Sequence, residues 1–301
     1  MGKESEEPRV STTNEAAVLG RLTRWAALQA LVRALVLESS RANEQATLDA
    51  FSDYDVLLVV SDVRPFVDDD TWLGDFGLPL VTFRDTKQVG GFETYARLVL
   101  YADHTKIDYL IWPVSLVQQV VERQALPDVL DWGYQVLLDK DGLTTGLPAP
   151  THTAHIPPLP TKREYHALVE EFWWETIYVA KNLWRDELLH AKYNLDVVMR
   201  HELLLQLLEW RVEVDRQWAW KPGIVGRGLK AQLAPKTWSA LEATWVGASL
   251  EENWDALFAM IDLFRRVALE VGSALGYGYS HEIDQRVSAY LQAVRHLPRP
   301  S

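Results

Sequence analysis

The chain has 301 residues, of which 48% are hydrophobic and 24% are charged. This composition is typical of a folded globular protein with material for one large or two ordinary domains. The formal net charge of −12 repels phosphate backbones and anionic lipids, so neither nucleic acid nor a membrane surface is the expected partner. The absence of cysteine excludes disulfides, thiolate metal sites and cysteine nucleophiles. No apolar run approaches the ~20 residues that span a bilayer, and we expect a cytoplasmic protein.

The first half of the chain combines predicted helices and strands. Residues 1–13 are polar and acidic, and we expect a disordered tail there. Apolar residues at helical spacing then predict a helix, whereas short aliphatic runs predict strands, the last two of them separated by a turn that fits a hairpin. In chain order, these elements are a helix over 14–30 and strands over 31–37, 56–60, 95–101 and 106–112.

A proline-rich connector over 146–160 separates this region from an all-helical second half. Proline removes backbone donors and favours an extended chain. Beyond the connector, apolar residues at i, i+3 and i+4 spacing predict helices over 162–184, 186–216, 235–246, 250–275 and 281–295. The sequence therefore predicts an α+β protein, with a mixed sheet and flanking helices over 14–145 and a helical bundle over 161–301.

Carboxylates at two predicted strands form the strongest candidate site. Asp53 and Asp55 open the strand over 56–60 and project from one face, because side chains alternate along a strand. Asp108 lies between apolar neighbours in another predicted strand, where an isolated carboxylate is costly. A paired strand would bring the three acids around Mg²⁺, which prefers hard oxygen ligands. The alternative is a pair of solvated strand ends, because a D-x-D pattern alone is common.

A second polar segment follows the first predicted strand. Ser39, Ser40 and Arg41 can offer hydroxyls, turn amides and a guanidinium to phosphate groups. An ordinary polar turn is the alternative interpretation of the same residues.

Several further motifs occur together with these residues, in one order along the chain. They are Glu38-Ser39-Ser40-Arg41, Phe51-Ser52-Asp53-Tyr54-Asp55, Ser61-Asp62-Val63, Asp70-Thr71-Trp72-Leu73, Lys106-Ile107-Asp108, Leu137-Leu138-Asp139-Lys140-Asp141, Glu171-Phe172-Trp173, Tyr178-Val179-Ala180-Lys181, Arg185-Asp186-Glu187 and Leu263-Phe264-Arg265. In this order they resemble the aminoglycoside 6-adenylyltransferases that act on streptomycin, within the nucleotidyltransferase superfamily of DNA polymerase β. The resemblance extends over residues 31–266.

The resemblance implies a two-domain enzyme with a nucleotidyltransferase domain that holds ATP and two Mg²⁺ ions. Asp53 and Asp55 then correspond to metal ligands. Asp108 corresponds to the third acid of the superfamily, either a metal ligand or the base for the substrate hydroxyl. The segment Ser39-Ser40-Arg41 and Lys181 are the candidates for binding the ATP phosphates.

One position departs from the family pattern, because Ser39 replaces the glycine of the family's E-G-S-R. If the backbone there needs a positive φ, a serine is less favourable than glycine.

The implied activity is transfer of AMP from ATP to a hydroxyl of an aminoglycoside, with streptomycin the implied acceptor and antibiotic resistance the outcome. A cationic antibiotic needs carboxylates and aromatic rings around its guanidino groups. The candidates in the helical half are Glu171, Trp173, Glu175, Asp186 and Glu187. Their spacing also fits core positions. Two other functions remain open: a nucleotidyltransferase with another acceptor, and a catalytically silent protein that binds a nucleotide or small molecule.

Overall fold

The computed structural model describes residues 15–44 and 46–298. The chain divides into two compact units, residues 1–154 and 155–301, and each is described by itself. The predicted tail over 1–13 and the first residue of the predicted helix, Asn14, lie outside the described residues. None of the helices in the described ranges is long and apolar enough to cross a membrane.

The first unit is built on a mixed sheet. Its strands are β1 (Val32–Glu38), β2 (Tyr54–Val60), β3 (Pro79–Val89), β4 (Phe92–Tyr101), β5 (Lys106–Pro113) and β6 (Tyr134–Asp139). Across the described residues they form one six-stranded sheet in the order β3-β4-β5-β2-β1-β6. β2 and β5 run parallel, whereas β1 is antiparallel to β2 and β6, and β4 to β3 and β5. The hairpin predicted between 95–101 and 106–112 is therefore present as β4 and β5.

Apolar side chains cover both faces of the central strands. The helices of this unit are α1 (Glu15–Leu28), α2 (Arg64–Val67), α3 (Val114–Arg123) and α4 (Asp128–Asp131), with 3₁₀ turns at Ser39–Ala42 and Thr71–Phe76. On one face, Leu22 of α1 packs in a cluster with Val56 and Leu58. On the other, Leu116 of α3 packs with Leu57. Burial on both faces explains why β2 is a continuous aliphatic run.

The first part of the predicted connector is fixed to the first unit. The Asp131 carboxylate accepts hydrogen bonds from the amides of Thr151, Thr153 and Ala154 at 2.7, 3.2 and 3.0 Å. The His152 amide also donates to the Asp131 main-chain oxygen. Residues 151–154 thus have a defined path, although the sequence alone suggested only an extended linker.

The second unit is helical. Its helices are α5 (Lys162–Trp184), α6 (Leu188–Lys192), a π-helical segment (Tyr193–Leu204), α7 (Leu205–Arg216), α8 (Leu229–Gln232), α9 (Pro235–Glu242), α10 (Leu250–Leu275) and α11 (His281–Arg295), with a 3₁₀ turn at Ile224–Gly226. Phe172 of α5 stacks on Phe264 of α10 with ring centroids 3.5 Å apart, at the centre of the apolar core. The mixed sheet and the helical second half together confirm the predicted α+β class.

One predicted helix differs from the observed structure. The continuous helix expected over 186–216 begins instead at Leu188 and passes through the π-helical segment. Asp186 has a φ of 63°, in the left-handed region, so the helix cannot include it. The helix expected over 235–246 ends at Glu242.

Candidate functional site

Strand pairing in the first unit aligns carboxylates across the sheet. In the parallel pair of β2 and β5, Asp55 lies opposite Asp108. In the antiparallel pair of β1 and β2, Glu38 lies opposite Asp55. Side chains directly opposite each other on adjacent strands share a face and lie close together. The fold therefore brings Asp108, Asp55 and Glu38 into one row, whereas the sequence had indicated only the first two.

The remaining predicted acid joins this row through a lysine. Asp53 precedes β2, and its Oδ2 accepts a hydrogen bond from Lys106 Nζ at 2.6 Å. The same ammonium donates to Asp108 Oδ2 at 2.8 Å. Lys106 and Asp108 are two residues apart on β5 and thus on the same face. The structure therefore brings together all three predicted acids, with an ammonium group between two of them.

Burial and mutual repulsion make these carboxylates unusually basic. Burial, followed by repulsion from Asp108 and Asp53, raises the pKa of Asp55 to about 6. Burial and the charges of Asp55 and Asp108 raise the pKa of Glu38 well above its ordinary value. Burial also raises the pKa of Asp108, although the bond from Lys106 partly opposes the shift. A group of carboxylates that is difficult to ionise together is poised to bind a cation.

Unpartnered oxygen atoms in this row fit a divalent metal ion. Asp108 Oδ1 and Glu38 Oε2 are buried and accept no hydrogen bond within the described part of the chain. Buried carboxylate oxygens normally have a partner, so each orphaned atom needs an explanation. Hard oxygen donors of this kind suit Mg²⁺. Residues 15–44 and 46–298 contain no preassembled set of three His, Cys, Asp or Glu side chains in a metal-binding arrangement, and Lys106 lies between two of the acids instead.

The serine turn lies beside the acidic row. Ser39 has a φ of 63°, the positive value that favours glycine. Its side chain is hydrogen-bonded to Asp55, and its amide donates to the Gly133 main-chain oxygen at 3.1 Å. The packing there is tight, because a Cβ atom on Gly133 would lie 2.8 Å from the Ala42 main-chain oxygen. The Ser39 hydroxyl and amide are therefore both bonded within the protein.

Arg41 is tied to the protein rather than directed at open space. Its Nε donates to the Asp53 main-chain oxygen at 2.9 Å, and a terminal nitrogen donates to the Ser52 main-chain oxygen at 2.8 Å. The guanidinium also pairs with Glu15 and lies over the Tyr54 ring, 3.9 Å from its centroid. Arg41 thus fixes the segment that carries Asp53, a contact that the sequence-based phosphate assignment did not include.

The candidate residues of the second unit occupy different environments. Trp173 is 1% exposed, and its indole nitrogen donates to the Tyr279 hydroxyl at 3.1 Å within the helical core. Glu175 accepts a hydrogen bond from Asn194. Asp186 and Glu187 are exposed and precede α6. The Lys181 ammonium lies 4.8 Å from the centroid of the Tyr178 ring.

Glu171, the remaining candidate, lines a cleft within the second unit. The cleft has a volume of about 310 Å³ and lies between residues 157–160, α5 and the helices that follow α6. Glu164 and Glu209 also line it, together with the apolar side chains of Leu168 and Trp210. Burial, with repulsion from Glu213, raises the pKa of Glu209 to about 7. No hydrogen bond or ion pair reaches the Glu209 carboxylate from the described residues.

Three residues of these sites were not among the sequence-based candidates. Glu38 and Lys106 lie in motifs that were recognised, and their distance from the acids in β2 became visible only with the strand order. Glu209 is one of several acids on α7, and nothing in its spacing distinguishes it from the others. The predicted strand over 31–37 stops before Glu38, and only the structure shows that this side chain is buried.

Comparison with known proteins assigns the chain to a family. The family model described as Streptomycin adenylyltransferase matches residues 12–294. An aminoglycoside 6-adenylyltransferase of Campylobacter jejuni is 30% identical over 263 residues, which are 86% of this chain and 88% of the relative. An enzyme of the same name from Bacillus subtilis (strain 168) is 28% identical over 269 residues, with 87% and 91% covered.

Among solved structures, the similar proteins include one described as an aminoglycoside 6-adenyltransferase from Bacillus subtilis. It has 24% sequence identity and a TM-score of 0.47, and the match covers 94% of this chain and 99% of that chain. The family model spans nearly the whole sequence, including the acidic row and the serine turn. The chain therefore belongs to the streptomycin adenylyltransferase family, and it is an enzyme of the adenylyltransferase class.

Proposed function

We propose that the protein transfers AMP from ATP to a hydroxyl group of an aminoglycoside, with Mg²⁺ as the cofactor and streptomycin as the first acceptor to test. The observation that carries the proposal is the alignment of Asp55 with Asp108 across β2 and β5, with Asp53 joined to them through Lys106. The family and the names of the similar proteins supply the reaction type. Modification of such an antibiotic would make the host resistant to it.

The acids are proposed to hold the metal. Asp53, Asp55 and Asp108 would be its ligands. Asp55 lies opposite Asp108, the Lys106 ammonium bonds to both Asp108 and Asp53, and Asp108 Oδ1 accepts no hydrogen bond from the described residues. Two Mg²⁺ ions would neutralise the charge on the phosphate oxygens and the leaving group. Burial raises the pKa of Asp108, which makes this carboxylate a better proton acceptor than an ordinary aspartate.

The chain's own residues would orient the reactants. The hydroxyl oxygen of the acceptor forms a bond to the α-phosphorus of ATP, the bond from that phosphorus to pyrophosphate breaks, and the hydroxyl proton passes to Asp108 or another acid of the row. Ser40 is placed in the 3₁₀ turn beside Asp55 and would contact the phosphates. Arg41 would keep Asp53 in position through its bonds to the main chain. Lys181 remains a proposed phosphate ligand on the strength of the family motif.

The cleft of the second unit is the proposed acceptor site. Glu171 and Glu209 present carboxylates there, and Trp210 and Leu168 provide apolar surface. Pro157 and Pro158 at its edge lack amide donors. A lining that offers acceptors and negative charge suits a ligand rich in donors and positive charge, such as the guanidino groups of streptomycin. Trp174, three residues after Glu171 on α5, is 59% exposed and available to stack on such a group.

The other residues that the sequence predicted to bind the antibiotic have different roles in this proposal. Glu175, Asp186 and Glu187 would add negative charge to the surface that attracts the antibiotic. Trp173, being buried, would support the helix that carries Glu171 rather than contact the ligand.

The proposal is tested by incubating the protein with ATP, Mg²⁺ and streptomycin and following pyrophosphate release, with mass spectrometry of the antibiotic. We expect a streptomycin product heavier by one adenylyl group and no product when Mg²⁺ is chelated. A panel that includes spectinomycin and other aminoglycosides defines the acceptor. Pyrophosphate release with a different acceptor would contradict the streptomycin assignment alone. Absence of release with every acceptor would contradict the proposed activity.

A further inference from the structure

The centre contains a cation of its own, the Lys106 ammonium. Lys106 Nζ donates to Asp53 Oδ2 at 2.6 Å and to Asp108 Oδ2 at 2.8 Å. Within the described part of the chain, no other basic side chain forms an ion pair with these two carboxylates or with Asp55. The ammonium therefore lies between two proposed metal ligands and offsets part of their negative charge.

This lysine compensates the acids only in part. The Lys106 ammonium bonds to Asp53 and Asp108, whereas Asp55 and Glu38 accept no bond from it. Asp108 Oδ1 and Glu38 Oε2 still accept no hydrogen bond from the described residues. Both bonds favour the charged form of the Lys106 ammonium, which is the ordinary form of a lysine at neutral pH. A divalent ion would supply the charge and the additional contacts that one ammonium cannot.

Lys106 is also able to leave. Its side chain is 36% exposed. Lys106 is the first residue of β5 and lies next to the turn that joins β4 to β5. A lysine head group is a compact charge on a flexible four-carbon stem, so it can rotate toward solvent without a change in the strand.

We infer that Lys106 is the resident counter-ion of the metal-free centre and is displaced when the divalent ion binds. The inference rests on the proposed function, because the metal belongs to that proposal. Two cations that compete for the same carboxylates weaken each other's binding by the same factor. Lys106 therefore stabilises the acids when no divalent ion is bound and lowers their affinity for that ion. A lysine with a purely structural role would stabilise the fold without lowering metal affinity.

The test compares wild type with Lys106→Met, by calorimetric titration with Mg²⁺ alone and by thermal unfolding in chelator and in Mg²⁺. We expect Lys106→Met to bind Mg²⁺ at least about fivefold more tightly, at the lower end of typical couplings between sites. We also expect Lys106→Met to unfold at a lower temperature than wild type in chelator. Added Mg²⁺ should raise the unfolding temperature of the variant by more than it raises that of wild type. Equal or weaker Mg²⁺ binding by Lys106→Met would overturn the inference.

Lys87→Met is the matched control. Lys87 contributes a positive potential at Glu38 and Asp108, but its side chain is 67% exposed and its ammonium pairs with Asp85. Loss of this charge should leave Mg²⁺ affinity within about twofold of wild type, since exposed charges at a distance are screened. An equal gain in Lys87→Met would show that general charge, rather than occupancy of the centre, is responsible and would contradict the inference.

Lys106→Arg covers the case in which the methionine variant does not fold in chelator. The arginine keeps a competing cation, so its Mg²⁺ affinity should stay close to that of wild type, and a gain equal to the one expected for methionine would overturn the inference. The outcomes also separate the two proposals. If wild type transfers AMP with Mg²⁺ but Lys106→Met binds the ion no more tightly, only the counter-ion role fails. If wild type binds no Mg²⁺ even with a non-hydrolysable ATP analogue, the metal-dependent function fails as well.

Discussion

Arg41 donates a hydrogen bond to the main-chain oxygen of Asp53 at 2.9 Å, and so connects the serine turn to the acid that precedes β2. Hydrogen bonds from a charged donor are stronger than neutral ones, and this guanidinium also bonds to Ser52. The position of the Asp53 carboxylate thus depends on a side chain twelve residues away in the sequence. Arg41 is a positioning residue for the proposed metal centre.

Replacement of Arg41 should therefore weaken both the fold and the reaction. We expect Arg41→Met to lose about 2 kcal/mol of unfolding free energy, because the half-buried carbonyls of Ser52 and Asp53 lose a charged donor. AMP transfer should fall by about 10- to 100-fold, as for other residues that orient metal ligands. Urea unfolding and pyrophosphate release measure the two effects. Arg33→Met is the control, because Arg33 lies on β1 and pairs with Asp141 at the surface. A variant at Arg41 with wild-type activity would contradict the positioning role.

Replacement of Asp55 should lower the activity of the protein but raise its stability. Asp55→Asn removes a buried charge whose pKa is raised to about 6 by burial and repulsion. We expect transfer to fall by more than about 100-fold, since even residues that only orient metal ligands cause losses of that order. The unfolding free energy at pH 8 should instead rise by about 2 kcal/mol, because the folded state no longer holds a destabilised carboxylate.

Asp53→Asn is the matched comparison. It should also abolish transfer, but it loses the bond to Lys106 and so should not gain stability. Thermal unfolding at pH 8 distinguishes the two variants. Retained transfer in either one would count against the metal-ligand assignment, whereas equal stability changes would count against the electrostatic account of Asp55.

The strain at Ser39 predicts a difference between two substitutions. With a φ of 63°, a residue that carries a Cβ is less favourable than glycine by about 1 kcal/mol. Ser39→Ala keeps the Cβ and loses the hydrogen bond to Asp55, whereas Ser39→Gly loses both. We expect the glycine variant to be about 1 kcal/mol more stable than the alanine variant in urea unfolding and to bind ATP at least as tightly as wild type. Equal stability of the two variants would show that the backbone is not strained.

Glu209 should make stability and acceptor binding depend on pH. Its pKa is raised to about 7 in the folded protein from the usual value near 4.5, through burial and repulsion from Glu213. The folded state therefore holds more protons than the unfolded state across this window, and stability falls as pH rises through it. Above pH 7, Glu209→Gln should be more stable than wild type by about 1 kcal/mol, a value reduced for solvent screening, and the difference should vanish near pH 4.

The same titration controls the charge offered to a cationic acceptor. Glu164 and Glu171 also line the cleft, and Glu164 is already held in the capping box with Thr161. Streptomycin affinity should thus rise between pH 6 and pH 8 in wild type, and Glu209→Gln should lose most of this rise. Fluorescence titration at several pH values and two salt concentrations provides the measurement. A pH profile unaffected by the substitution would exclude Glu209 from the acceptor site.

The sequence predicted the elements that are apolar enough to be buried. β1, β2, β4 and β5 are aliphatic runs and were expected within a few residues of their observed bounds. β3 was missed because it is an edge strand without a fully buried residue, and Phe83 is 61% exposed. Without burial on one face, no alternation of apolar and polar residues marks a strand. The break near residue 186 was missed because apolar spacing continues on both sides of it.

The parts of the candidate site that depend only on local sequence spacing were predictable. Where the chain is extended, the D-x-D spacing directs both carboxylates to one face, and Asp53 and Asp55 flank Tyr54, the first residue of β2. The contact of Lys106 with Asp53 depends on which strands are neighbours and in which register, and neither is encoded locally. The conformation of Ser39 was partly predictable. The family has glycine at this position, which indicated a positive φ, and the structure shows that φ is 63°.

The parallel pairing of β2 with β5 also bears on how the protein folds. It joins a group of antiparallel strands, β6-β1-β2, to another, β3-β4-β5, and Asp55 and Asp108 lie on either side of that junction. Parallel strands far apart in the chain pair slowly, since a long loop must close before contacts form. The repelling charges of Asp55 and Asp108 therefore meet only when the chain between β2 and β5 has closed into a loop. Aliphatic neighbours such as Leu57 and Leu110, paired in the same register, must supply the free energy that closes this loop against the repulsion at its acidic end.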